Sequence, residues 1–129
     1  MTNSGVRDDI RNRFTEANTN RNSARSYLYS FTRILQKTHK RELKSVESLT
    51  KGPAIRQVCL YIRDPTIRVS RKSHLLNGYL KCLQILGIDL DQPQFRPFQT
   101  LRQKLKAYNS YVKEHPEVKN HTPPSKTFK

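Results

Sequence analysis

The apolar residues of this 129-residue chain recur at helical spacing in four separate segments. In the clearest segment the stripe runs from Leu75 to Leu86 in steps of three or four residues, and Gly87 follows as a helix-ending residue. The runs that resemble strands are short and never flank a hairpin turn. The pattern therefore predicts an all-α fold, a compact bundle of four main helices with flexible N- and C-terminal segments.

Caps and prolines set the expected limits of these helices. We expect helices over residues 23–40, 53–64, 70–86 and 98–115, with Ser23 and Ser70 as N-caps. Before them, only Ile10 and Phe14 stand at helical spacing, which predicts at most a short turn of helix. The chain therefore divides into a polar N-terminal segment (1–22), a helical domain (23–113) and a Pro-rich tail or interdomain linker (114–129).

The charge of the chain is strongly unbalanced, with 25 Lys and Arg against 10 Asp and Glu, a formal net charge of +15. Residues 23–113 hold eighteen of the basic and five of the acidic side chains, so the excess lies in the helical domain. Side chains of like charge repel one another in a folded domain, and this repulsion is usually offset by a polyanionic partner. Nucleic acid is the leading candidate, and an anionic membrane surface or an acidic protein is the alternative.

Several other classes of protein are excluded by the sequence. No apolar run is long enough to cross a bilayer or to act as a secretory signal, so we expect no membrane partner and an intracellular location. Cys59 and Cys82 lack the local spacing of a zinc site and are expected to be buried as small hydrophobic residues. No catalytic motif is present, and His74, alone on a basic helix, is more typical of a surface residue or a phosphate contact than of a general base. We therefore expect no enzyme active site, no cofactor and no metal.

Two basic stripes are candidate binding sites for the polyanion. The third helix begins with cationic and hydroxyl side chains. The helix dipole disfavours cations at this end, whereas the free backbone amides favour an anion, so a bound anion would account for the cations. The candidates on it are Arg68, Ser70, Arg71, Lys72, His74, Asn77 and Lys81. The first helix contributes Ser23, Arg25, Arg33 and Lys37. Side by side, the two helices would neutralise about five to eight phosphates, with a log–log salt slope of about −5 to −7.

The type of nucleic acid is constrained by the polar and aromatic residues of the helices. Asn77 has the side chain that recognises base edges in a major groove, although an ordinary surface role explains it equally well. Tyr29, Tyr61 and Tyr111 are the tyrosines least suited to the core. They do not form the cluster of exposed aromatic residues that is typical of single-strand recognition, so the sequence favours duplex DNA.

The order of these features resembles a known module. Residues 22–31, NSARSYLYSF, resemble a "Ser-x-x-Thr-x-x-x-Tyr" opening of a Leu-rich helix, and residues 55–62 resemble a second helix. Residues 70–80, SRKSHLLNGYL, resemble a "Ser-x-x-Thr-x-x-x-x-x-x-Leu" helix. Over residues 22–113 the chain resembles the N-terminal core-binding (SAM-like) domain of tyrosine recombinases and integrases, the divergent viral ones included.

This resemblance implies a DNA clamp that lies on one face of the duplex and places helices in the major groove. The motifs carry over to Ser23, Arg25, Ser70, Arg71 and Lys72. In the family a separate C-terminal domain cuts and rejoins strands, and no such domain follows Lys129 here. The resemblance thus implies either the N-terminal portion of a recombinase or a stand-alone relative that binds without cutting, and it leaves self-association on DNA open.

Three other functions are compatible with the same residues. A helix-turn-helix regulator would use residues 53–64 and 70–86, although their connection is longer than the usual turn of about three to four residues. A small basic RNA-binding protein of the ribosomal type explains the charge equally well. A helical adaptor for an acidic protein also needs only the charge, but it gives the cations around Ser70 no special purpose.

Overall fold

The computed structural model describes residues 3–38 and 46–115. It contains the helices α1 (Asn3–Glu16), α2 (Arg21–Thr38), α3 (Gly52–Ile62), α4 (Val69–Ile85) and α5 (Arg96–Glu114). Two short 3₁₀ helices, Val46–Thr50 and Pro93–Phe95, precede α3 and α5. No strand occurs within these two ranges, which confirms the all-α prediction. The expected tail beyond residue 115 lies outside the described residues.

Helix α4 lies at the centre of the fold and contacts each of the other four helices. Its Tyr79 is 1% exposed and stacks on Phe31 of α2 at 5.4 Å between ring centroids. The same ring makes an edge-to-face contact with Phe98 of α5, with 6.0 Å between the ring centroids. Such ring pairs contribute about 0.5–1.5 kcal/mol each beyond area burial, so Tyr79 joins three helices at one point.

The end of α4 forms as the sequence predicts. Gly87 has a φ of +87°, a conformation that glycine adopts without steric cost. Its N–H donates to the Gln84 carbonyl at 2.9 Å, and the Ile88 N–H donates to the Leu83 carbonyl at 3.1 Å. This pair of bonds is a Schellman motif, which satisfies the last carbonyls of the helix.

The N-terminal segment differs from the expectation of a short turn of helix. Residues 3–16 form α1, whose Val6, Ile10 and Phe14 are all buried against the rest of the core. These residues recur every four positions, so they lie along one face of the helix. The Phe14 ring lies 5.8 Å from that of Tyr27 on α2. Helix α1 is therefore a fifth helix of the core, and Val6 is the apolar residue that completes its buried face.

The two serines expected as N-caps lie one or more residues inside their helices. Helix α2 begins at Arg21, and the Asn20 side chain accepts hydrogen bonds from the N–H groups of Asn22 (2.9 Å) and Ser23 (3.3 Å). Asn20 is thus the cap. Helix α4 begins at the buried Val69, with Arg68 in the N-cap position and no side-chain cap. In both helices the serine hydroxyl is left for contacts on the surface.

Helices α2 and α4 run antiparallel and cross closely at Gly78. A Cβ atom at Gly78 would lie 2.7 Å from both Cβ and Oγ of Ser30 and 3.2 Å from the Tyr27 Cα. Next to the crossing, the Cys82 thiol donates to the Tyr27 carbonyl at 3.4 Å. The absence of a side chain at Gly78 therefore lets the backbones of α2 and α4 approach closely, which brings their exposed faces next to each other.

Both cysteines are free and buried, which confirms the prediction for Cys59 and Cys82. Burial raises the pKa of the Cys82 thiol to about 12. Burial also raises the pKa of Cys59, and the nearby Arg63 opposes that shift. Both thiols are therefore protonated at neutral pH and behave as small hydrophobic side chains.

Candidate nucleic-acid interface

A groove of about 470 Å³ lies between the start of α2 and the middle of α4. The residues that line this α2/α4 groove are Asn22, Ser23, Ser26, Tyr27, His74, Asn77 and Gly78. The structure thus brings together three predicted site residues, Ser23 from α2 and His74 and Asn77 from α4. The close crossing at Gly78 is the reason that these side chains share one groove.

A hydrogen bond across the groove joins Ser26 to His74. The distance from Ser26 Oγ to His74 Nε2 is 2.8 Å. Because a hydroxyl both donates and accepts, it can pair with either tautomer of the imidazole. Sequence reasoning did not select Ser26. Its signal was the polar stripe on α2, in which Asn22, Ser26, Tyr29 and Arg33 follow one another in steps of three or four residues.

Arg71 is held at the edge of the groove by Tyr29 of α2. Its Nη2 donates to the Tyr29 hydroxyl at 3.2 Å, and its guanidinium carbon lies 5.9 Å from the centre of the ring. Tyr29 is 54% exposed, as its position off the apolar stripe predicted. A guanidinium has five N–H donors in a fixed plane, so the tyrosine orients the group and leaves other donors for an anion.

The remaining predicted cations extend this surface along both helices. Because α2 and α4 are antiparallel, Arg33 and Lys37 lie toward the start of α4, where Arg68 is exposed. Arg33 is half-buried, and its Nε has no hydrogen-bond partner within the described residues. On α4 an exposed stripe in steps of three or four residues consists of Ser70, His74, Asn77, Lys81 and Gln84, with the exposed Arg71 beside it.

Acidic side chains are segregated from this surface. Helices α2 and α4 contain no Asp or Glu. Within residues 3–38 and 46–115 the ion pairs both lie on α1, between Arg11 and Asp8 at 3.3 Å and between Arg13 and Asp9 at 3.0 Å. Within those two ranges, therefore, no carboxylate forms an ion pair with an exposed cation of α2 or α4.

The position of Lys72 does not agree with its predicted role as a phosphate contact. It is 1% exposed and lies on the core face of α4. Its position three residues before Leu75, four before Leu76 and seven before Tyr79 is the signal that places it there. Burial lowers the pKa of Lys72, and the negative charge of Asp64 opposes that shift. The buried ammonium group is out of reach of a phosphate on the protein surface.

Arg25 is the exception among the predicted cations of α2, because it lies toward α1 and away from α4. It lines a second, larger groove of about 770 Å³ between α1 and α2, together with Arg11 and Arg21. Although Arg25 is four residues before Tyr29, its side chain lines this second groove and not the α2/α4 groove. The predicted row of three cations therefore retains only Arg33 and Lys37 beside α4.

The chain matches no protein-family model, and no similar curated protein or solved structure was found. In the described part of the chain, no group of three or more His, Cys, Asp or Glu could hold a metal ion. None of the described helices is both long and apolar enough to span a membrane. The geometry and charge of the α2/α4 surface are therefore the basis for inferring function.

Proposed function

We propose that this domain binds duplex DNA through α2 and α4, as the DNA-clamping domain of a tyrosine recombinase or integrase does, without a catalytic step of its own. The binding face consists of the α2/α4 groove together with Arg33, Lys37, Arg68, Ser70, Arg71 and Lys81. The observation that supports this proposal is the close antiparallel pairing of two helices that lack acidic residues. It brings one continuous row of polar and cationic side chains on α4 beside a second row on α2.

The dimensions of α4 suit a major groove. The groove of B-form DNA is about 12 Å wide and accepts an α-helix. The exposed stripe of α4 offers Asn77 and His74 toward base edges, with Ser70 and Lys81 at its two ends. Helix α3 is a less suitable partner for α4, because the connection over residues 63–68 is longer than a helix-turn-helix turn. The geometry therefore favours a clamp built on α2 over a helix-turn-helix regulator.

The corrected positions of Lys72 and Arg25 change the expected number of phosphate contacts. Five Lys or Arg side chains remain on the face, namely Arg33, Lys37, Arg68, Arg71 and Lys81. Each phosphate neutralised on B-form DNA contributes about −0.9 to the log–log salt slope, so we expect the α2 and α4 cations to contribute about −4 to −5 to the slope. This value is shallower than the sequence alone suggested.

The substitutions Arg71→Gln and Lys81→Gln test the face directly. Each is expected to weaken duplex binding several-fold across all sequences and to reduce the salt slope by about 1, because each removes one phosphate contact. Fluorescence anisotropy with a labelled duplex over a salt series measures both quantities. The matched control is Lys72→Met, which removes the same charge from the core at similar volume and is expected to leave affinity within about twofold.

Two results would contradict the proposal. If Lys72→Met weakens binding as much as Arg71→Gln does, the effect comes from net charge and not from a surface. If structured RNA binds as tightly as duplex DNA at matched salt, the RNA-binding alternative is the better description.

Asn77→Ala tests base recognition on the α4 stripe. A bidentate contact to a base edge contributes about 1–3 kcal/mol of discrimination, so loss of Asn77 is expected to change the ranking of duplex sequences. Affinities for a panel of duplexes give the comparison, and Gln57→Ala, an exposed change on α3 and outside the proposed face, is the control. A loss that is equal for every sequence would leave Asn77 as a backbone contact only.

A further inference from the structure

Helix α5 carries a third basic stripe, on the side of α4 that faces away from α2. Asn109 Nδ2 donates to Ser73 Oγ of α4 at 3.1 Å, which fixes this side of α5 against α4. Arg102, Lys106 and Lys113 lie seven and three residues before Asn109 and four after it, so they share its side of the helix. All three are exposed, and none is ion-paired within the described residues.

Helices α2 and α5 each place a row of cationic side chains beside α4, one on either side. Helix α2 meets α4 through Ser26 and His74, whereas α5 meets it through Ser73. Between these contacts the exposed α4 residues Ser70 and Asn77 occupy the middle of the surface. Packed helix axes lie about 8–10 Å apart, so the two outer rows are separated by up to about 16–20 Å.

We propose that α5 contacts the second strand of the bound duplex. This inference rests on the proposed function of α2 and α4. With the α4 stripe in the major groove, Arg33 and Lys37 of α2 lie along the phosphates of one strand. Arg102, Lys106 and Lys113 of α5 then lie along the phosphates of the other strand, across the groove.

The arrangement selects for a duplex of B-form geometry. A helix with side chains is about 10–12 Å in diameter and fills a groove about 12 Å wide, which has a phosphate backbone on both sides. A single strand has only one backbone and cannot occupy both rows at once. The major groove of duplex RNA is deep and narrow and does not admit a helix, so it cannot present its two strands to α2 and α5 in this way.

The triple variant Arg102→Gln/Lys106→Gln/Lys113→Gln tests the role of α5. Its control, Lys51→Gln/Arg56→Gln/Lys104→Gln, removes the same charge from three exposed sites. These lie just before α3, on α3 and on the other side of α5, respectively. Binding is measured by anisotropy over a salt series with a DNA duplex, one of its single strands and an RNA duplex of the same sequence. Circular dichroism checks that both variants remain folded.

The α5 triple variant is expected to lose about 10- to 100-fold in affinity for the DNA duplex and about 2 to 3 from its salt slope. Its affinity for the single strand is expected to change much less, and the control is expected to keep most of the wild-type affinity for the duplex. Equal losses in the two triple variants would overturn the inference, as would wild-type binding of duplex RNA with the same affinity and slope. If the α5 triple variant binds like wild type while Arg71→Gln does not, α5 lies outside the interface and the proposed function stands. If the wild-type protein does not bind duplex DNA, both proposals are wrong.

Discussion

Replacement of Phe14 by alanine is expected to lower the free energy of unfolding by about 3–5 kcal/mol. The side chain is 4% exposed and packs on Tyr27, so its loss leaves a cavity between α1 and α2. Domains of this size have a total stability of about 5–15 kcal/mol, so the variant is expected to be partly unfolded at moderate temperature. Urea or thermal unfolding followed by circular dichroism measures the change.

Two further variants make this prediction informative. Phe14→Leu keeps most of the buried volume and is expected to lose only about 1 kcal/mol, so it remains measurable if the alanine variant does not fold. Asn12→Ala, an exposed change on the same helix, is expected to stay within about 0.5 kcal/mol of wild type. If Phe14→Ala unfolds at the same urea concentration as wild type, α1 is an appendage and not a part of the core.

Gly78→Ala is expected to destabilise the fold by about 1–3 kcal/mol, because the new methyl group would overlap Ser30. Alanine normally stabilises a helix by about 1 kcal/mol relative to glycine, so the predicted effect has the opposite sign to helix propensity. The substitution is also expected to separate α2 from α4 and to widen the α2/α4 groove. Chemical denaturation gives the free energy directly.

The matched control for Gly78 is Gly52→Ala, at a position where a Cβ atom would meet nothing within 4 Å. This change is expected to be neutral or slightly stabilising. Removal of the opposing side chain provides a rescue, because Ser30→Gly takes away both atoms that lie 2.7 Å from the new Cβ. A double-mutant cycle is therefore expected to show favourable coupling between Gly78→Ala and Ser30→Gly. If Gly78→Ala stabilises the protein, as a Gly→Ala change does at an exposed helical position, α2 and α4 do not cross closely at Gly78.

Helices α2 to α5 were predictable because each contains an apolar stripe long enough to define its period. Helix α1 was missed because Asp, Asn and Arg surround only three buried residues, Val6, Ile10 and Phe14. The burial of such a sparse face depends on the surfaces that α2 and α4 offer it, and these are properties of the assembled fold. Local sequence therefore underestimated the extent of the domain.

The candidate site shows the same division between local and tertiary information. The exposed stripe of Ser70, His74, Asn77 and Lys81 follows from helical periodicity, and a stricter use of the same period would have buried Lys72. By contrast, the bonds of Ser26 to His74 and of Tyr29 to Arg71 join residues 48 and 42 positions apart. No local pattern determines which two helices become neighbours, so these partners are visible only in the fold.

The segregation of acidic side chains also affects how the protein meets a charged partner. Helix α1 has three basic and three acidic side chains, whereas α2, α4 and α5 together have twelve basic and one acidic side chain, so the positive charge of the helices is concentrated on α2, α4 and α5. The molecule therefore has an electric dipole that a polyanion can align before contact. At an ionic strength of about 0.15 M this field extends over a Debye length of about 8 Å, and it reaches further in dilute salt. Encounters at low ionic strength are accordingly faster, and they begin with the basic helices already turned toward the partner.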